Sequence, residues 1–226
     1  MRRPPDPRTD EELNAALLAG DKSAGAVLYD RHFAPLRGYF INKVADPSVW
    51  DDLVHQTFEV LLGKPVNFKG DSTYRSYVFG VAHNILRTHY RAQRLQSSRR
   101  DDSIEQIEEL SVSDLGPGVS TLVTNQADAQ RLIEALRKIP IKYQSVFEMY
   151  YWQDLPASEI ARTCACPIGT VRGRLRLAKK ALLEKLALEG GSYGELLRGF
   201  RSVDAWSREV RAELGTDDDD DDEGVA

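Results

Sequence analysis

Apolar residues recur at helical spacing along most of this chain, and the alternating pattern that suits strands is scarce. The spacing predicts a short helix over roughly residues 11–19 and a longer one over 24–44. Asp46-Pro47 then supplies an N-cap carboxylate and a first-turn proline for a third helix. There Trp50, Leu53, Val54, Thr57, Phe58, Leu61 and Leu62 share one face, while Asp52, His55, Gln56 and Glu59 form the opposite stripe. After a break at 63–71, a fourth helix is expected over about 72–94. Tyr74, Tyr77, Val78, Val81, Ile85 and Leu86 point inward on it, and Asn84, Arg87 and Arg91 share an outer face.

Residues 95–125 change character. Ser, Asp, Glu and the Gly116-Pro117-Gly118 cluster dominate, as in a flexible linker. Helices resume over about 126–138 and 142–151. The stretch from Leu155 to Leu183 then gives two short helices around a tight turn, the second burying Val171, Leu175, Ala178 and Leu182. An apolar stripe from Tyr193 to Leu214 and a run of aspartates end the chain. The pattern therefore predicts an all-α protein of two small helical domains, 11–94 and 126–188. A flexible linker (95–125) joins them, and an amphipathic extension with a disordered acidic tail (189–226) follows.

Charge alters this picture because it is segregated. The formal net charge is −5, yet Asp217 to Asp222 with Glu223 contribute −7, leaving +2 on the rest. Between Ala165 and Leu183 there is no acid, while Arg172, Arg174, Arg176, Lys179 and Lys180 crowd the second helix. Two helices, a tight turn and a basic second helix fit a helix-turn-helix whose second helix enters the DNA major groove. From Lys64 to Arg94 there are six Lys/Arg and one acid, interleaved with Phe68, Tyr74 and Tyr77. Rings beside cations suit single-stranded DNA, through stacking and phosphate attraction, although the same rings also suit a core. Cys164 and Cys166 are too close together to staple a fold and point to a reducing compartment. No metal-ligand spacing, phosphate loop or nucleophile motif is present, so neither enzyme activity nor a cofactor is expected. With no long apolar run, a cytoplasmic protein without membrane insertion is expected.

Four segments in order resemble the bacterial sigma-70 family, in its extracytoplasmic-function (ECF) group. Asp52 to Phe58 resembles that group's DLVQETF helix. Phe68 to Tyr77 with Asn84 resembles its FRGDSSFRTWLYRIARN stretch, Ile139 to Phe147 its LPPRQREVF, and the helix-turn-helix its promoter-binding one. The resemblance implies an alternative sigma factor that binds core RNA polymerase and directs promoter recognition, duplex melting and initiation. By it, Asp51, Asp52, His55, Gln56 and Glu59 would dock on the clamp helices of the largest polymerase subunit. Phe68, Lys69, Asp71, Tyr74, Arg75, Tyr77, Asn84, Arg87 and Arg91 would capture the melted −10 element. Thr170, Arg172, Arg174, Arg176, Lys179 and Lys180 would read the double-stranded −35 element, the arginines by contacts to guanine edges and the lysines on phosphates.

Departures from the family pattern add further expectations. Gln56 replaces a family carboxylate with Thr57 beside it, which makes Thr57 a candidate phosphosite for a Ser/Thr kinase. Gly80 and His83 stand where arginines are common, and Ala165 replaces the usual turn glycine. An anti-sigma factor is a further candidate partner. The alternative function is a sigma-like decoy that binds an anti-sigma factor without engaging promoter DNA.

Overall fold

The computed structural model describes residues 6–63, 72–96, 109, 111–112 and 133–188. Seven α-helices have full bounds: α1 (Asp10–Leu18), α2 (Lys22–Ile41), α3 (Trp50–Gly63), α4 (Tyr74–Gln96), α5 (Ile141–Tyr151), α6 (Ala157–Thr163) and α7 (Ile168–Leu188). A 3-10 turn, Pro47–Val49, leads into α3, and residues 133–137 are helical. No strand occurs among the described residues, which hold one isolated bridge between Ser111 and Pro140. No helix among them is long and apolar enough to cross a membrane. The expected extension and acidic tail, and nearly all of the expected linker, lie outside the described residues.

Local chemistry sets the helix starts. Thr9 and Glu12 form a reciprocal capping box on α1, with Thr9 Oγ1 accepting from the Glu12 N–H at 3.2 Å and the Glu12 carboxylate accepting from the Thr9 N–H at 2.8 Å. Gly20, at φ +97°, turns the chain, and Asp21 caps α2 by accepting from the Ser23 N–H. Asp46 caps the 3-10 turn through the Ser48 N–H, and Pro47 sits where a missing N–H costs nothing.

The first four helices pack around Leu13, Leu28, Leu36, Phe40, Leu53, Val54, Phe58, Val78, Phe79 and Leu86. This cluster does not stop at α4. It continues into Ile141, Val146, Met149, Leu155, Ile160 and Val171, so α5, α6 and the start of α7 close over the same core. A second cluster of Ile133, Leu136, Ile139, Phe147, Trp152, Ala178, Leu182 and Leu186 binds α7 to α5. The two halves that the pattern separates are thus in direct contact, with α6 lying on α4.

Candidate nucleic-acid interface

On α3 the side chains divide as the pattern predicts. Trp50, Leu53, Val54, Phe58 and Leu61 are buried, and Leu62 is half-buried. Asp51, Asp52, His55, Gln56 and Glu59 are all exposed on the other side. Asp51 accepts from Arg37 Nε at 2.8 Å, and His55 Nε2 lies 3.4 Å from the Tyr29 hydroxyl. Thr57 corrects an expectation. Its side chain is 0% exposed and its hydroxyl donates to the Leu53 carbonyl at 2.8 Å, so the folded helix does not present it to a kinase.

The α4 residues fare differently. Asn84 and Arg91 are exposed, and Arg75, Tyr77 and Arg87 are half-buried. Phe68, Lys69 and Asp71 lie outside the described residues. Tyr74, expected to stack on bases, is a core residue with its ring 5.7 Å from His32 and 6.2 Å from Tyr77. Burial pushes its hydroxyl well above the ordinary tyrosine range. An aromatic at the first turn of a helix serves a core as readily as a base, and here the α1–α2 corner claims it. His83 is also buried, with Nδ1 3.1 Å from the Tyr39 hydroxyl. Burial, with the charges of Arg87, Lys43 and Arg174 nearby, holds it neutral, down at about 3.

The helix-turn-helix is built by α6 and α7. Between them the Cys166 N–H donates to the Ala161 carbonyl at 2.9 Å and the Ala165 N–H to the Arg162 carbonyl at 3.1 Å. This is the Schellman pair of bonds, and it places Ala165 at φ +49°, where glycine is usual. Past the turn, α7 buries Val171, Ala178 and Leu182 and leaves Thr170, Arg172, Arg176 and Lys180 exposed. Lys180 lies 3.9 Å from Glu184. Lys179 is half-buried with its ammonium 4.8 Å over the Tyr151 ring. Arg174 is half-buried, and its charge bears on His83 of α4. The candidate recognition face is therefore brought together by one helix.

Sequence reasoning missed the polar contacts between the halves. The Lys43 ammonium and Glu148 carboxylate form an ion pair at 0% and 1% side-chain exposure. Burial lowers Lys43 to about 8 and raises Glu148, each opposed by the partner's charge. Lys43 Nζ also lies 3.7 Å over the Tyr39 ring, and Gln144 Nε2 donates to both the Asn42 carbonyl and Glu148, each at 2.9 Å. At α4, Thr73 donates to Glu159 from Oγ1 at 2.8 Å and from its N–H at 3.3 Å. The Tyr74 N–H donates to Glu11 at 2.8 Å. The only signal in the sequence was Lys43 and Glu148 themselves, charges standing beside Tyr39–Ile41 and Val146–Met149. Among the described residues no group of three or more His, Cys, Asp or Glu is placed to hold a metal.

The family model described as Sigma-70, region 4 matches residues 129–182. RNA polymerase sigma-H factor of Pseudomonas aeruginosa is 22% identical over 177 residues, covering 76% of this chain and 91% of its own. RNA polymerase sigma factor HrpL of Pseudomonas syringae is 29% identical over 154 residues, with 67% and 80% covered. ECF RNA polymerase sigma-E factor of Haemophilus influenzae is 23% identical over 181 residues, with 79% and 95% covered. Among solved structures, CnrH in complex with the cytosolic domain of CnrY shares the fold at TM-score 0.56 and 20% identity, over 80% of this chain and 99% of that one. RpoE in complex with the anti-sigma factor NepR from Bartonella quintana gives TM-score 0.53 at 20% identity, over 69% and 92%. Residues 129–182 thus match sigma-70 region 4, and over most of its length the chain is similar to extracytoplasmic-function sigma factors.

Proposed function

We propose that this chain binds core RNA polymerase through the exposed stripe of α3, on the clamp helices, and directs it to promoters with two separate elements. The observation that carries the reading is the division of α7. It buries one apolar side and turns Thr170, Arg172, Arg176 and Lys180 outward on a helix-turn-helix, the arrangement in which arginines reach base edges and lysines hold phosphates. Asn84 and Arg91 on α4, with the 64–71 segment before it, would hold the melted −10 strand, where an unstacked base must regain a few kcal/mol, about the cost of flipping it. The fold shared with the sigma factor RpoE, solved with the anti-sigma factor NepR, supports a third partner, an anti-sigma factor. A decoy need not keep a recognition face, and this chain does.

The test is transcription by core polymerase with the purified chain on a pool of random templates. Transcripts sharing two spaced elements are the expected result. Arg172→Ala and Arg176→Ala should each relax preference within the upstream element, by about 1–3 kcal/mol for every arginine–base pairing removed. Polymerase binding without any transcription would overturn the reading in favour of the decoy.

A further inference from the structure

Arg172, Arg176 and Lys180 stand four residues apart on α7 and are all exposed, so they form one row with neighbours about 6 Å apart. Among the described residues neither arginine has an ion-pair partner. Lys180 has the contact at 3.9 Å with Glu184, an exposed pair of small worth. Like charges at this spacing repel each other, so the row favours an anion laid along it. The chain carries a matching anion itself. Asp217 to Asp222 with Glu223 form an unbroken run of acids contributing −7. In extended backbone, alternate carboxylates fall about 6.5–7 Å apart, close to the spacing of the row. An arginine takes a carboxylate with the same two-donor fork that it uses on phosphate.

The length of chain between the two permits the contact. Arg172 lies about 24 Å along α7 from Leu188, the last described residue, at about 1.5 Å per residue. Residues 189–216 reach about 90 Å when extended, and a flexible chain of that length has an r.m.s. span of about 30 Å, close to the distance to be covered. Tethering of this kind sets an effective concentration on the order of millimolar. The other basic surface fits less well. Arg91 is the only arginine that α4 exposes among the described residues, with Arg75 and Arg87 half-buried.

We propose that the acidic run Asp217–Glu223 docks on the Arg172–Arg176–Lys180 row of α7 and competes there with DNA. This rests on the proposed function, in which that row meets the promoter's upstream element. DNA must displace the tethered run, so its apparent affinity falls in proportion to the fraction of molecules left undocked. Because that equilibrium lies in the free protein, specific and non-specific DNA are weakened by the same factor.

The full-length chain carrying Asp→Asn at every position from Asp217 to Asp222 tests this, since it keeps the length and alters no described residue. Amide NMR spectra of parent and variant at low salt should differ at Thr170, Arg172, Arg176 and Lys180 and agree at Asp51–Glu59 on α3. Those differences should fade in about 0.5 M salt, where screening is nearly complete at the contact distance. At about 50 mM salt the variant should bind a random-sequence duplex at least about tenfold more tightly than the parent, narrowing to about threefold at about 200 mM. In an Arg172→Ala/Arg176→Ala protein the same asparagine changes should raise the remaining DNA affinity by less than about twofold. Identical spectra, or differences centred on α4, overturn the docking. An affinity gain that survives removal of both arginines marks general charge repulsion and overturns it as well. Spectral differences on α7 in a protein that binds no duplex in either form uphold the docking and overturn the DNA-reading role of α7.

Discussion

The helices α3 and α4 pack against each other, and both are read from sequence as amphipathic, yet they meet the rest of the chain in different ways. One side of α3 is buried and the other is free, with Asp51, Asp52, His55, Gln56 and Glu59 all exposed. By contrast α4 is enclosed twice. Tyr74, Val78, Ala82 and Leu86 face the core, while Gly80 lies against Thr163 of the second half of the chain. A surface of the first kind can meet a partner as it stands. A surface of the second kind is already occupied by the rest of its own chain.

The sharpest way to break that contrast is to destroy the contact that encloses α4. Glu148→Leu leaves the Lys43 ammonium buried without its counter-charge, and a drop of about 3–5 kcal/mol in urea unfolding is expected. Lys43→Met with Glu148→Leu removes both charges and keeps the volume, so it should unfold within about 1 kcal/mol of the parent or above it. Equal destabilisation in the single and double variants would mean that the pair is not buried across the seam in solution. Substituting Gln56 on the open face of α3 should leave stability within about 0.5 kcal/mol.

The same contrast marks what was legible beforehand. Every residue assigned to the apolar face of α3 is buried or half-buried, because that helix has one neighbour group and one periodic stripe serves it. On α4 the stripe was read correctly for Tyr74, Val78 and Leu86, and it omitted Phe79, Ala82 and His83. Their burial comes from a wider enclosure that one amphipathic period does not encode. Tyr74 and Thr57 show a second reason. Ring chemistry and a hydroxyl are each compatible with two environments, and only packing decides between them. The helix-turn-helix was legible because its signal is local: a turn, an apolar side and a run of cations. The Lys43–Glu148 pair spans 105 positions, and no local pattern joins them.

A second test acts on the corner that fixes the start of α4. Asp10 accepts from His32 Nε2 at 2.7 Å and from Arg31 at 2.9 Å, and His32 packs on Tyr74. Burial opposes the Asp10 charge, but the bonds from His32 and Arg31 prevail and hold its carboxyl at about 2, below the 3.8 of an unperturbed aspartate. A carboxyl depressed on folding stabilises the protein above its unfolded value, and the contribution is lost as pH falls from about 3.8 through 2. It should amount to at most about 2 kcal/mol. Unfolding followed from pH 6 to pH 2 should show this decline in the parent and a flatter profile in Asp10→Asn. Parallel profiles would remove Asp10 from the account of how α4 is anchored.

A smaller effect than these losses concerns the turn that lays α6 across α4. Ala165 holds φ at +49°, within the Schellman turn closed by its own N–H and that of Cys166. An L-residue there carries about 1–2 kcal/mol of steric cost that glycine avoids, while glycine gives back part of that through its freer unfolded chain. Ala165→Gly should therefore gain about 0.5–1 kcal/mol, read as a higher melting temperature, and Ala165→Val should lose more than that. The turn orients both the helix that packs on α4 and the basic helix α7. A stabler turn should strengthen the packing of α6 on α4 without altering the α3 surface. Were Ala165→Gly to melt lower than the parent, the turn would not be left-handed in solution, and the packing of α6 on α4 that depends on it would have to be redrawn.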